Sequence, residues 1–177
     1  MKRKNKSSRK KTSSDVLNGT LEITRSGLGY VVVADGSGDV MVRPGNFNTA
    51  LHGDTVRVKV TKHNIHTGRK EGKIIEVLAR KRKEFIGTLQ MGTNYAFFVP
   101  GTEKPMPDFY IPLEKINGAQ HKDRVVVKLL KWVKEEPKPV GEVISVLHAE
   151  DENEYAMKEL LSENGFPLSF HDDVVEE

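Results

Sequence analysis

The sequence contains no cysteine. This absence excludes disulfides and thiolate metal sites, and it is typical of a cytosolic protein. No apolar run approaches the length of a membrane span, and the basic start of the chain lacks the apolar stretch of a secretory signal. Acidic residues are missing from residues 1–14, which contain seven Lys or Arg side chains. We therefore expect a cytoplasmic protein that has no contact with membranes.

The charge that is present is distributed unevenly along the 177 residues. Residues 15–83 contain 12 basic and 7 acidic side chains, residues 84–148 contain 8 of each, and residues 149–177 contain 1 basic and 10 acidic. This asymmetry predicts a polyanionic partner at the front half of the chain. The first 14 residues have nothing to bury, so we expect a disordered basic tail. The tail either contacts phosphates without sequence preference or only improves solubility.

An internal repeat divides the middle of the chain into two similar modules. The triplet Gly19-Thr20-Leu21 recurs as Gly87-Thr88-Leu89 at an offset of 68 residues, and later matches share an offset of 69. Further pairs include Asn48 with Asn117, Ala50 with Ala119, His52 with His121, Asp54 with Asp123, Val56 with Val125 and Gly72 with Gly141. Each module has the strand rhythm of a small barrel. We therefore predict an all-β fold of two tandem five-stranded OB-fold barrels.

The predicted organisation has four parts: a disordered basic tail (1–14), a first barrel (15–82), a second barrel (83–148) and a short acidic helix in residues 149–177. Asp151 or Asn153 caps the predicted helix, which stops at Asn164-Gly165. Apolar residues follow the helix with no remaining chain to pack against. We interpret this segment as the beginning of a larger unit.

In the first barrel, a predicted hairpin places a mixed surface on one face. Strand alternation puts Leu28 and Tyr30 on the same side as Met41 and Arg43, while the valines between them face the core. Arg25, just before the hairpin, adds a second cation. An ordinary barrel hairpin without a ligand is the alternative interpretation.

In the second barrel, the corresponding strands carry more aromatic residues. Alternation places Tyr95, Phe97 and Tyr110 outward, and it places Phe98 and Phe109 in the core. Each outward ring would offer a stacking surface worth about 1–3 kcal/mol per base. Since the inward pair already fills the core, the outward trio favours nucleic-acid binding.

Two histidines precede alternating strands, within His52-Gly53-Asp54 and His121-Lys122-Asp123. A metal site or acid–base chemistry is one interpretation, but neither histidine has a second ligand at useful spacing. We predict instead that each aspartate closes a turn with its own backbone. Trp132 remains unassigned between the core and the rim.

The first hairpin resembles the RNA-binding strands of a cold-shock domain. Leu28 and Tyr30 fall on the two exposed aromatic positions of the first strand, and Met41 and Arg43 fall on a Phe and a His of the second. Three of these four residues are not aromatic here, so the resemblance is to the fold more than to the stacking surface. Over residues 15–177 the chain resembles the N-terminal region of bacterial exoribonucleases of the RNase II family. The stretches that carry this resemblance are Leu21 to Gly29, Leu51 to Val56, Arg80 to Leu89 and Pro139 to Leu147.

The resemblance implies a processive 3′–5′ exoribonuclease in which two barrels feed RNA to a catalytic domain that follows them, and it makes residues 149–177 the truncated, helical start of that catalytic domain. In that family, a cluster of aspartates holds the Mg²⁺ ions that activate water. No such motif occurs in these 177 residues. We therefore expect no catalytic residue and no cofactor here, Mg²⁺ in the full-length enzyme, and a monomer that binds single-stranded RNA. The expected RNA-binding residues are Leu28, Tyr30, Met41, Arg43, Arg25, Tyr95, Phe97 and Tyr110.

Two other functions are compatible with the same features. A complete, stand-alone RNA chaperone of tandem cold-shock type would explain both barrels, although it leaves the acidic C-terminal segment without a purpose. A pair of barrels that binds proteins and no nucleic acid is the third possibility, since OB-like folds serve many functions.

Overall fold

The computed structural model describes residues 15–148 and 152–166. The predicted basic tail and the predicted cap residue Asp151 lie outside these residues. Ten strands and one helix follow each other along the chain. They are β1 (Val16–Ile23), β2 (Gly29–Val32), β3 (Val40–Val42), β4 (Thr55–His63), β5 (Lys70–Ala79), β6 (Glu84–Met91), β7 (Ala96–Pro100), β8 (Phe109–Ile111), β9 (Arg124–Lys131), β10 (Val140–Leu147) and α1 (Glu152–Glu163).

The strands form two closed five-stranded barrels with the same topology. The strand order is β1-β2-β3-β5-β4 in the first barrel and β6-β7-β8-β10-β9 in the second. In each barrel the third and fifth strands are parallel, and the other neighbouring pairs are antiparallel. The prediction of an all-β protein with two tandem five-stranded barrels is confirmed.

The repeat extends to the backbone of the loops. A short 3₁₀ turn follows the third strand of each barrel, at Pro44–Asn46 and at Leu113–Lys115. Soon after each turn, an asparagine adopts a positive φ, 59° at Asn48 and 48° at Asn117. Asparagine tolerates this left-handed conformation better than most residues do. The sequence repeat therefore reflects two copies of one structural unit.

Each barrel has its own aliphatic and aromatic core. The first contains mainly β-branched residues, including Val31, Val42 and Val58. The second contains Phe98 and Phe109, whose ring centroids lie 5.4 Å apart in an edge-to-face arrangement. Both phenylalanines are fully buried, as strand alternation predicts.

The two barrels meet at a junction that has both polar and apolar contacts. Leu51, from the first module, packs into the core of the second barrel. The buried carboxylate of Asp54 accepts a hydrogen bond of 2.8 Å from Arg80, which lies between the barrels. Arg80 also lies over the ring of Trp132, at 5.8 Å from the guanidinium carbon to the ring centroid. Trp132 therefore belongs to the partly buried rim of the second core, where it contacts the junction.

Helix α1 packs on the second barrel. Leu161 contacts a small apolar cluster that contains Ile86 and Val126, and Glu159 pairs with Arg124 of β9. The helix ends as predicted: Gly165 has a φ of 81°, and the amide of Phe166 donates to the carbonyl of Leu161 at 3.0 Å. Within the residues that the structure describes, no helix is long and apolar enough to cross a membrane.

Candidate nucleic-acid interface

The outer face of the second barrel carries a continuous row of aromatic rings. Tyr95 precedes β7, Phe97 lies on β7, and Tyr110 lies opposite Phe97 on β8. The ring centroids of Tyr95 and Phe97 are 5.5 Å apart, and those of Phe97 and Tyr110 are 6.0 Å apart. Tyr95 is 50% exposed and Tyr110 is 40% exposed. The predicted outward orientation of all three rings is confirmed.

The surroundings hold these rings in place and add positive charge. The ring of Tyr95 lies over Gly92, where a Cβ atom would come within 2.2 Å of the ring. Because only glycine leaves this space free, the turn before β7 positions the ring. The ammonium group of Lys138 lies 5.3 Å from the centroid of Phe97. The arrangement combines stackable rings with a cation, as expected of a surface that binds unpaired bases and their phosphates.

The equivalent face of the first barrel carries charges of both signs. Tyr30 and Met41 lie opposite each other on β2 and β3, and Glu71 on β5 is the next residue across the sheet. This face lines a cavity of about 610 Å³, to which Lys62 and Lys70 also contribute. Tyr30 is 37% exposed, so its ring remains accessible.

Both arginines that are predicted to bind RNA in the first barrel form ion pairs. Arg43 donates from Nε to Glu71 at 2.8 Å, and this hydrogen bond lowers the pKa of Glu71. Arg25 donates to Glu103 of the second barrel at 2.6 Å. Both arginines are largely exposed, and Leu28 is half-buried beside them. The structure therefore pairs Tyr30 with Met41 on β2 and β3, while Leu28 precedes β2 and Arg43 follows β3, where Glu71 holds it in an ion pair.

The two predicted turns have structural roles. The Asp54 carboxylate accepts from the amide of Leu51, and the Asp123 carboxylate accepts from the amide of Gln120, each at 2.8 Å. The prediction that each aspartate closes its turn is confirmed. Burial raises the pKa of Asp54, although hydrogen bonds from the Leu51 and Lys81 amides and the charge of Arg80 oppose this effect.

The two histidines bind the backbone in the same way in both barrels. His52 Nδ1 accepts from the amide of Ile23 at 2.9 Å, and His121 Nδ1 accepts from the amide of Met91 at 3.0 Å. The described part of the chain holds no group of three His, Asp or Glu side chains placed to bind a metal ion. The geometry therefore agrees with the turn interpretation of both segments.

The sequence patterns did not identify several residues of the two faces. Glu71, Lys62 and Lys138 come from strands or loops that are distant in sequence from the hairpins, so strand alternation within one hairpin gave no sign of them. The β3–β5 register places Glu71 beside Met41. A repeat alignment extended to the fifth strand would have paired Glu71 with Val140 and would have indicated the acidic character of the first face.

Two family models match most of the two barrels. Residues 19–77 match the Ribonuclease B OB domain, and residues 97–171 match the Cold shock domain. The chain is 28% identical to Ribonuclease R of Thermotoga maritima over 170 residues, which is 95% of this chain and 24% of the relative. The chain is thus similar to part of Ribonuclease R, and the OB and cold shock domain models fall on its first and second barrels. It is also 29% identical to Ribonuclease R of Escherichia coli over 133 residues, which is 75% of this chain and 16% of that protein.

Solved structures with the same fold include ribonuclease R and a related protein. The RNase R of Mycoplasma genitalium, in complex with ribose methylated single-stranded RNA, has a TM-score of 0.75 at 17% identity. That match covers 89% of this chain and 26% of the neighbour. Yeast Ssd1, described as a pseudonuclease, has a TM-score of 0.69 at 18% identity, over 86% of this chain and 25% of that chain. These likenesses establish the fold. The chain spans about a quarter of the length of these proteins.

Proposed function

We propose that this chain binds single-stranded RNA on the outer face of its second barrel and delivers it to the catalytic part of a 3′–5′ exoribonuclease of the ribonuclease R type. The observation that carries this proposal is the row of Tyr95, Phe97 and Tyr110 on adjacent strands, with Lys138 beside it. An exposed aromatic row has no role in the core of the barrel. It suits bases that are already unstacked.

The spacing of the row suits successive nucleotides. Neighbouring centroids lie 5.5 Å and 6.0 Å apart, and the exposed rings of Tyr95 and Tyr110 flank the half-buried ring of Phe97. A base on an exposed ring gains stacking energy whatever its identity, because every base has a π-face. A duplex offers no open bases. The surface therefore favours single strands and selects little among sequences.

The hydrolytic activity in this proposal comes from the relatives that are named Ribonuclease R. Magnesium supplies the activation of water in that chemistry. Since residues 15–148 and 152–166 hold no group of three acidic or histidine ligands, we derive no catalytic step from this chain. The cleavage step and its Mg²⁺ ions are assigned to the part of the relatives that this chain does not span. We expect the chain to act in the cytoplasm as a monomer.

Alanine substitutions in the aromatic row test the proposal. Tyr95→Ala, Phe97→Ala and Tyr110→Ala should each weaken binding of a labelled single-stranded oligoribonucleotide by about 1–3 kcal/mol. Their salt dependence should stay near that of the parent chain, because no phosphate contact is removed. Fluorescence anisotropy at several salt concentrations measures both quantities.

The matched control is Tyr30→Ala, which removes an exposed ring from the first barrel. We expect it to have a smaller effect than Phe97→Ala, since Phe97 contacts two further rings, whereas Tyr30 lies opposite Glu22 and Met41. The proposal fails if the three second-barrel variants, shown to be folded by circular dichroism, bind single strands as tightly as the parent. It also fails if they lose as much affinity for a perfect duplex as for a single strand.

A further inference from the structure

The basic run between the barrels divides into two inward and two outward side chains. Arg80 is held by Asp54 and lies over Trp132. The guanidinium carbon of Arg82 lies 5.1 Å from the centroid of Phe85, and burial lowers the pKa of Arg82. These two arginines therefore stabilise the junction itself.

Lys81 and Lys83 are exposed, and their ammonium groups have no hydrogen-bond or ion-pair partner among residues 15–148 and 152–166. The stem of Lys81 is nevertheless fixed by packing. It passes so close to Gly53 that a Cβ atom there would lie 2.4 Å from its Cδ atom, and a Cβ atom at Gly165 would lie 3.4 Å from its Cγ atom. A packed stem holds the ammonium group in position without neutralising it.

These lysines line a cavity of about 270 Å³ between the linker, β9 and the end of α1. Lys128 of β9, also exposed, lines the cavity, and so does Phe166, which is 60% exposed. Of the described residues that line the cavity, five are basic and one is acidic. The acid is Glu84, which lies opposite Lys128 in the β6–β9 pair.

We propose that this cavity is a second RNA site, in which Lys81, Lys83 and Lys128 bind backbone phosphates and Phe166 stacks on one base. Lys81, Lys83 and Lys128 outnumber Glu84, and this excess of positive charge favours an anionic ligand. Ammonium groups are strong donors to phosphate oxygens, and the exposed ring selects an anion that also carries a flat apolar group. A nucleotide unit of a single strand has both features. The site rests on the proposed function and adds a contact that is independent of the aromatic row.

The test compares two double variants of the 177-residue chain. Lys81→Ala/Lys83→Ala should weaken binding of a single-stranded oligoribonucleotide by about tenfold and reduce its salt slope by about 1.4, or roughly 0.7 for each lost phosphate contact. Lys59→Ala/Lys73→Ala is the matched control, because these exposed lysines form a cross-strand pair in the first barrel. The control should stay within about twofold of the parent.

Phe166→Ala separates the base contact from the phosphate contacts. It should weaken RNA binding by about fivefold or more and leave binding of inorganic polyphosphate unchanged, because polyphosphate has no bases. Equal losses for both ligands would overturn the stacking role.

The two proposals fail in different ways. If the junction double variant behaves like its control while Phe97→Ala still weakens binding, the cavity is not an RNA site and the proposed function stands. If the junction variant loses affinity and Phe97→Ala does not, the second site stands and the assignment of the aromatic row is wrong. If the parent chain binds no single-stranded RNA, both are overturned.

Discussion

The two barrels share a topology, but the row of residues that crosses the outer face differs in charge and in aromatic content between them. In the first barrel, the register aligns Glu22, Tyr30, Met41, Glu71 and Lys62 across its five strands. In the second, the corresponding row is Gln90, Phe97, Tyr110, Val140 and Lys131. Two acids in the first row are thus replaced by an uncharged amide and an aliphatic residue in the second.

This difference shows how one scaffold can support two surfaces. The strands that form each barrel are specified by buried residues, which stay apolar in both copies although Phe98 and Phe109 stand in the second where the first has Val31 and Val40. The outward positions are free to change without disturbing the core. A carboxylate in the middle of the first row repels phosphates and holds Arg43 in an ion pair, whereas the second row presents adjacent aromatic rings. The overall positive charge of the first module therefore does not by itself make its outer face the better RNA surface.

The turns before the fourth strands provide the largest expected difference in stability. Asp54 is 1% exposed and accepts from Arg80, whereas Asp123 is half-buried and accepts from the backbone of its own turn. Asp54→Ala should lower the free energy of unfolding by about 3 kcal/mol, since it removes the carboxylate that pairs with Arg80 and leaves Arg80 hydrogen-bonded only to Thr49 among the described residues. Asp123→Ala should lower it by about 1 kcal/mol. Urea unfolding of both variants measures the difference.

A double variant sharpens this result. Arg80→Met, combined with Asp54→Ala, removes the buried cation together with the acid, and it should recover part of the lost stability. Equal destabilisation by the two single aspartate variants would show that the link between Asp54 and Arg80 contributes nothing beyond the turn.

Glu71 of the first row and Val140 of the second occupy equivalent positions, and exchanging these two residue types tests the comparison of the faces. Glu71→Val should tighten RNA binding by about 1 kcal/mol, since it removes a charge that repels phosphates. It should also steepen the salt slope by about 0.7, because Arg43 is released to contact phosphate. Val140→Glu should weaken binding by a similar amount. Anisotropy titrations at two salt concentrations measure both effects.

The control is Glu76→Val, which removes one acid from the same strand at a position outside the row. Glu76 pairs with Arg57. If this control tightens binding as much as Glu71→Val, net charge explains the effect and the position of Glu71 does not.

Local patterns were sufficient to predict the barrels and the orientation of their hairpins. Alternation identified the inward Phe98 and the outward Phe97, because burial reverses at each residue of a strand. Contacts between distant segments were beyond such patterns. The pairing of Arg43 with Glu71 requires the parallel β3–β5 register, and the packing of Leu51 into the second core requires the placement of the two barrels. The predicted roles of the RNA-binding residues and of the segment 149–177 stay predictions.

His52 of the first barrel supplies the smallest expected effect on stability. Burial, and then the ammonium group of Lys104 at 2.7 Å from Nε2, lower the pKa of His52. The contribution of His52 to stability is therefore present above its ordinary pKa of about 6.5 and is lost as the pH falls through the lower folded value. Thermal unfolding between pH of about 7.5 and 5 should show this loss. His52→Gln, which keeps an acceptor for the amide of Ile23, should remove it.

Lys104→Ala should reduce the same pH dependence, because it removes a cation that opposes protonation of His52. The interpretation is wrong if the parent and His52→Gln lose stability to the same extent over this range.

Amide chemical shifts during a titration with a short single-stranded oligoribonucleotide test the central claim most directly. The two barrels then serve as internal references for each other within one folded chain. We predict that the largest shifts occur along the second row, at Gln90, Phe97 and Tyr110, with smaller shifts at Tyr30 and Met41. The largest shifts along the first row, with the second row unchanged, would contradict the assignment of RNA binding to the second barrel.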